Sequence, residues 1–133
     1  MDPLVNEESK AKPRRKVILI VDEDFLSRWG AAEYLRETGF EVIEAVSAEE
    51  AMAAFRANSA IDAIFCDDHT ISGAGGKEFY AWLEKHLNLP VLLAQEAVDE
   101  GDTLVPLSTR ANVAKPYAMS DVEQRLHTLL AAR

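Results

Sequence analysis

Residues 17–22 read Val-Ile-Leu-Ile-Val-Asp, five aliphatic residues in succession with an acid at the end. A strand wetted on one face alternates apolar and polar residues. An unbroken run belongs to a strand covered on both faces, the habit of a central strand in a parallel sheet. Parallel neighbours need long crossovers, and the chain supplies them. Helical spacing over 24–39 places Ala31, Tyr34, Leu35 and Thr38 on one face, with Asp24 as cap and Gly39 as stop. Gly30 lies inside this helix at a cost of about 1 kcal/mol relative to Ala, for no reason visible in the sequence. EVIEA (41–45) is a second strand, and the capping box Ser47-Ala48-Glu49-Glu50 opens a helix with Ala48, Ala51, Met52 and Phe55 on one side. IDAIFCD (61–67) is the third strand, and the helix after it carries Phe79, Trp82, Leu83 and Leu87. PVLLA (90–94) is the fourth, with Pro90 tolerated at its first position. The stretch 96–111 contains Gly101 and Pro106 and keeps neither period, so a fourth helix there is short or irregular. NVA (112–114) is a brief fifth strand. A second capping box, Ser120 to Glu123, opens a last helix with Val122, Leu126, Leu129 and Leu130 on its face. The alternation predicts an α/β, doubly wound, five-stranded parallel sheet whose sites lie at the C-terminal strand ends.

The chain has 133 residues, the size of one domain, and no apolar run approaches the roughly 18 residues of a membrane span. Residues 1–15 form a polar leader without a signal-peptide core, expected to be disordered, and residues 16–133 form the domain. The first sixteen residues carry about +2 and the rest about −11 of a net −9, an acidic body that argues against direct binding to nucleic acid. Cys66 is the single cysteine; it excludes an internal disulfide and fits a reducing, cytoplasmic setting, and its place on a buried strand reads as core. Trp29 and Trp82 read as packing residues, His86 and His127 as exposed helix residues. No Ser-His-Asp arrangement, glycine-rich phosphate loop or zinc spacing occurs.

Acids and one lysine close the strands. Asp22-Glu23 end the first, Asp67-Asp68 the third, and Lys115-Pro116 follows the fifth. Asp22-Glu23 alone would serve as helix caps. If strands one and three are neighbours, however, carboxylates converge and repel, which a divalent cation or a lysine relieves. Mg2+ takes oxygen ligands, typically one or two carboxylates, waters and a phosphate. Carboxylates with one lysine therefore suit a phosphoryl group, and a carboxylate can itself attack phosphorus to give an acyl phosphate.

V-D-E-D after the first strand, D-A-I-F-C-D on the third and K-P-Y after the fifth resemble the receiver domain of two-component response regulators over about residues 16–131. The resemblance implies a flavodoxin-like sheet of order 2-1-3-4-5 and phosphorylation by a histidine kinase or phosphotransfer protein. Asp22 and Glu23 match the acidic pair that serves Mg2+, and Lys115 matches the family's lysine. Receivers commonly carry an acid five residues before the phosphorylated aspartate; Asp62 stands so to Asp67, and a one-residue insertion in S-G-A-G-G aligns Asp67 with Gly76. Asp67 is thus the implied phosphoacceptor. His69 matches the position whose backbone carbonyl helps hold the metal, its side chain suiting Mg2+ less well. Tyr117 matches an aromatic position and reads as a structural plug.

The chain departs from the family at the positions that relay the signal. Gln95 stands where Ser or Thr is usual, Asn112 where Tyr or Phe is usual, and Ile71 where a proline follows the phosphorylation site. The expected function is a single-domain receiver, phosphorylated on Asp67 with Mg2+, acting through protein–protein contacts as a monomer or weak dimer. It would catalyse only its own phosphorylation and dephosphorylation, and no output domain is expected after Arg133. The alternative is a phosphorylation-independent pseudo-receiver, a binding module favoured by Gln95 and Asn112 and opposed by the acids and Lys115. A Mg2+-dependent phosphohydrolase lacks a cap and a spare general acid.

Overall fold

The computed structural model describes residues 14–58, 60–86, 88–96 and 110–132. Its strands are β1 (Val17–Val21), β2 (Glu41–Ala45), β3 (Ile61–Asp67), β4 (Val91–Gln95) and β5 (Arg110–Ala114). The helices among these residues are α1 (Phe25–Glu37), α2 (Ala48–Ala57), α3 (Asp68–Ser72), α4 (Gly76–Glu84) and α5 (Met119–Ala131). The strands form one sheet in the order β2-β1-β3-β4-β5, every pair parallel. This is the expected flavodoxin-like arrangement. The segment expected to hold an irregular fourth helix lies mostly outside the described residues, as do leader residues 1–13 and Leu87.

Alternation along the buried strands divides the interior into two cores. Leu19, Val21, Ile64, Cys66, Val91 and Leu93 point to the side covered by α2, α3 and α4, where Ala51, Ile71, Phe79 and Leu83 meet them. Ile18, Ile20, Phe65 and Leu92 point to the other side, against Ala32 and Leu35 of α1 and Val122 and Leu126 of α5. Chain order reverses direction at β1, so the C-terminal ends of β1 and β3 lie side by side at a switch point.

Several local expectations need correction. Between β3 and the expected helix that carries Phe79 the chain forms an additional short helix, α3. A proline at position 71 would remove an interior helix N–H and crowd the preceding turn, whereas Ile71 permits the helix and buries its side chain beneath it. Glycines then close the loop tightly. A Cβ on Gly76 would lie 1.9 Å from the Ile71 carbonyl oxygen, and one on Gly73 would lie 2.7 Å from that of His69. Strand β4 is shifted one residue onward, freeing Pro90, and β5 begins two residues early. Ser120 does not cap α5: Ala118 already has the extended cap conformation, which draws Ser120 and Asp121 into the first turn, where Asp121 pairs with Arg125 at 3.1 Å. Trp29 is 52% exposed because α1 buries the opposite side, while Trp82 does pack, against Phe55 and Phe79.

Gly30 has open space where a Cβ would stand. Gly30→Ala is therefore expected to raise unfolding free energy by about 0.5–1 kcal/mol through helix propensity, read by urea denaturation.

At the opposite end of the sheet, Arg14 holds buried Asp62 with two hydrogen bonds of 3.0 Å, and the Val17 N–H donates to the same carboxylate at 2.8 Å. Burial pushes the Asp62 carboxyl up, but these bonds and the charge of Arg14 outweigh it and hold the pKa below the usual value. A lowered native pKa means that Asp62 stabilises the fold above the ordinary carboxylate range and loses that contribution as pH falls through the lowered value. Arg14→Ala should reduce Tm by a few degrees at pH 7. Melts at successive pH values should show the gap from the wild type closing in acid.

Candidate phosphoryl site

Asp22 follows β1, where its N–H donates to the Ala45 carbonyl at 3.1 Å. Its carboxylate accepts the Asp24 N–H at 2.9 Å. The cap of α1 is Asp24, which accepts the Ser27 N–H at 2.8 Å, so helix capping does not occupy Asp22 or Glu23. Arg28 braces this corner, donating to the Asp22 carbonyl at 3.0 Å and to Glu44 at 3.2 Å. Arg28 was missed by sequence reasoning. Its one-turn spacing from Asp24 carries no signal until β2 is laid beside β1.

Asp67 ends β3 with its side chain buried, and its Oδ2 accepts the His69 N–H at 3.0 Å, which starts α3. Lys115 follows β5, where its N–H donates to the Gln95 carbonyl at 2.8 Å, and the Lys115–Pro116 bond is cis. The Lys115 ammonium contacts Asp67 Oδ1 directly and donates to Asp68 Oδ1 at 3.0 Å.

Asp22, Glu23, Asp67, His69, Lys115 and Tyr117 line one open cleft of about 480 Å3, whose far wall is α1 at Leu26, Ser27 and Gly30. The residues expected to bind metal and phosphoryl are thus together. Gln95 is buried at the end of β4, tied through its carbonyl to Lys115. Asn112 is exposed, outside the cleft lining, with its carbonyl accepting Arg125 at 3.1 Å. The His69 carbonyl accepts the Gly73 N–H at 2.8 Å inside the α3 turn, leaving its other lone pair for any further ligand. Tyr117 sets its ring edge-on to Phe65 at 5.5 Å, as a plug between α5 and the sheet.

Burial raises the pKa of Asp22, partly offset by the bond from Asp24 and reinforced by the charge of Asp67. Burial acts to lower that of Lys115, but hydrogen bonds and charge from Asp67 and Asp68 prevail and hold it well above the ordinary value. The Tyr117 hydroxyl is also pushed up, by burial and then by Asp22 and Asp67. The cleft is thus an anionic wall facing one firmly protonated cation. Its carboxylate oxygens, with no thiolate among the lining residues, suit a hard divalent cation such as Mg2+ held by Asp22, Glu23 and Asp67. Among the described residues, the acids and histidines whose ligand atoms lie within 4.8 Å of one another are Asp67, Asp68 and His69; Asp22 and Glu23 are not part of that group.

No curated protein matches the chain. Solved structures share its fold: a response regulator receiver protein from Sinorhizobium medicae WSM419 is 20% identical with a TM-score of 0.75, the match covering 90% of this chain and 97% of that one. A response regulator receiver domain protein from Clostridium thermocellum is 18% identical with a TM-score of 0.76, covering 88% and 95%. A two-component response regulator from Clostridium difficile is 20% identical with a TM-score of 0.74, covering 88% and 97%. The family model described as the response regulator receiver domain matches residues 18–127. With that match over most of its length, the chain belongs to the response regulator receiver domain family.

Proposed function

We propose that this receiver accepts a phosphoryl group on Asp67 from a histidine kinase or phosphotransfer protein and signals through protein–protein contacts. The observation that carries this reading is the placing of a buried strand-end carboxylate against a protonated lysine and beside Asp22 in one cleft. An Asp67 oxygen attacks phosphorus, the new O–P bond forms, and the donor leaves with the electron pair of the broken bond. Lys115 neutralises charge on the transferred oxygens, and Asp22, Glu23 and Asp67 would hold Mg2+. Bound there, Mg2+ would supply charge neutralisation at the phosphoryl oxygens.

Phe25, Leu26 and Trp29 are exposed on α1, Leu26 on the cleft wall itself, which gives a donor protein apolar surface to grip beside the reacting carboxylate. No described helix is long and apolar enough to cross a membrane, and a cytoplasmic site of action fits a kinase donor. Intact mass after incubation with acetyl phosphate and Mg2+ tests the reading. One added phosphoryl group, lost when EDTA is present, supports it. An unchanged mass both here and with a phosphorylated phosphotransfer protein favours the pseudo-receiver, whose surface would act unmodified.

A further inference from the structure

Asp68 is the second carboxylate at the end of β3, and receiver chemistry as proposed above gives it no task. Its side chain is only 24% exposed, and its Oδ1 lies 3.0 Å from the Lys115 ammonium and 4.0 Å from His69 Nε2. It is absent from the lining of the acidic cleft, whereas Asp67, its neighbour, is part of that lining. Lys115 therefore stands between an acceptor in the cleft and one beside it.

We infer that Asp68 is a positioning residue that competes with the phosphoryl group on Asp67 for Lys115. This rests on the phosphorylation reading. Transfer replaces a carboxylate of charge −1 by an acyl phosphate whose phosphoryl carries about −1.5 to −2, displaced one bond further into the cleft. The ammonium follows the larger charge. Asp68 then loses its 3.0 Å partner while facing a new dianion at close range, and the pull of Asp68 on Lys115 in turn weakens the hold on the phosphoryl group.

The competition also has a direction in the fold. Asp68 is the first residue of α3, whose end is closed by the Gly73 N–H on the His69 carbonyl at 2.8 Å. Gly73 and Gly76 leave no room for a Cβ against the α3 carbonyls, so the turn responds as a packed unit. Release of Asp68 thus moves α3 and the 73–76 loop, a surface independent of Asn112.

The test compares phosphoryl half-lives of wild type, Asp68→Asn and Asp68→Glu after loading with acetyl phosphate and Mg2+ and removal of the donor. Asn keeps shape and hydrogen bonding but removes the competing charge, so its half-life should lengthen roughly threefold, the worth of one partly exposed ion pair. Glu retains the charge and should return the half-life toward the wild-type value, a recovery that a purely structural role for Asp68 would not give. Hydrogen exchange over residues 68–76 should accelerate on phosphorylation of the wild type and change less in Asp68→Asn. An unchanged or shorter half-life in a folded Asp68→Asn overturns the inference while leaving the acceptor role of Asp67 intact. Failure of the wild type to load both from acetyl phosphate and from a phosphorylated phosphotransfer protein overturns both.

Discussion

Asp67→Asn is expected to abolish phosphoryl uptake altogether, with the folded domain retained. An amide oxygen is a poor nucleophile toward phosphorus, and among the described residues no other carboxylate both contacts Lys115 and lines the cleft with Asp22. Asp68 also reaches Lys115, at 3.0 Å, but it heads α3 and does not line the cleft. Asp68→Asn should therefore still load. The fold tolerates the exchange at 67 because Asn can accept the His69 N–H as Asp67 does. Lys115 keeps Asp68 as a partner in the variant. Intact mass and a thermal melt on the same sample separate loss of chemistry from loss of structure, and uptake by Asp67→Asn would move the acceptor elsewhere.

Asp22→Asn should separate stability from metal binding. Asp22 is buried with a raised pKa, caused first by desolvation and then by the neighbouring charge of Asp67. A carboxylate whose native pKa lies above its unfolded one keeps its proton longer in the folded state. Its contribution to stability is then greatest in acid and falls as pH rises from the ordinary carboxylate value through the raised one. At pH 7 the metal-free protein carries that whole penalty. Removing the charge while keeping the acceptor for the Asp24 N–H should raise the metal-free Tm by a few degrees. Mg2+ should stabilise the wild type by binding the native state. The variant should lose that response, with affinity lower by at least the roughly 10- to 100-fold that even an outer partner of a metal ligand is worth. Melts with Mg2+ and with EDTA read both effects. A metal-free variant less stable than the wild type would contradict the electrostatic account of this corner.

The parallel sheet was legible because β1, β3 and β4 are covered on both faces and so carry unbroken apolar runs that no amphipathic helix shows. Grouping of Asp22, Asp67 and Lys115 followed from strand order alone, since their elements end on the same side of adjacent or near-adjacent strands. What escaped the sequence depended on tertiary context. Helix α3 is five residues long, too short for periodicity to declare, and it stands because Ile71 finds the core and glycines fit the turn. Ser120 has the residues of a capping box, yet the chain leaving Pro116 and Tyr117 reaches helical geometry before it. Trp29 was assigned by residue type, and its exposure follows from which side of α1 faces the sheet. The contact of Lys115 with both Asp67 and Asp68 could not be read from spacing, because adjacent strand-end residues ordinarily point to opposite faces and the start of α3 turns the second one back.

The central claim is that Asp67, and not Asp68, carries the phosphoryl group. Borohydride reduction of the phosphorylated protein converts the acyl phosphate to the alcohol, turning the modified aspartate into homoserine, and peptide mass spectrometry then locates it. The account predicts homoserine at position 67 in the wild type and in Asp68→Asn, and none in Asp67→Asn. Homoserine at position 68 in the wild type would contradict it.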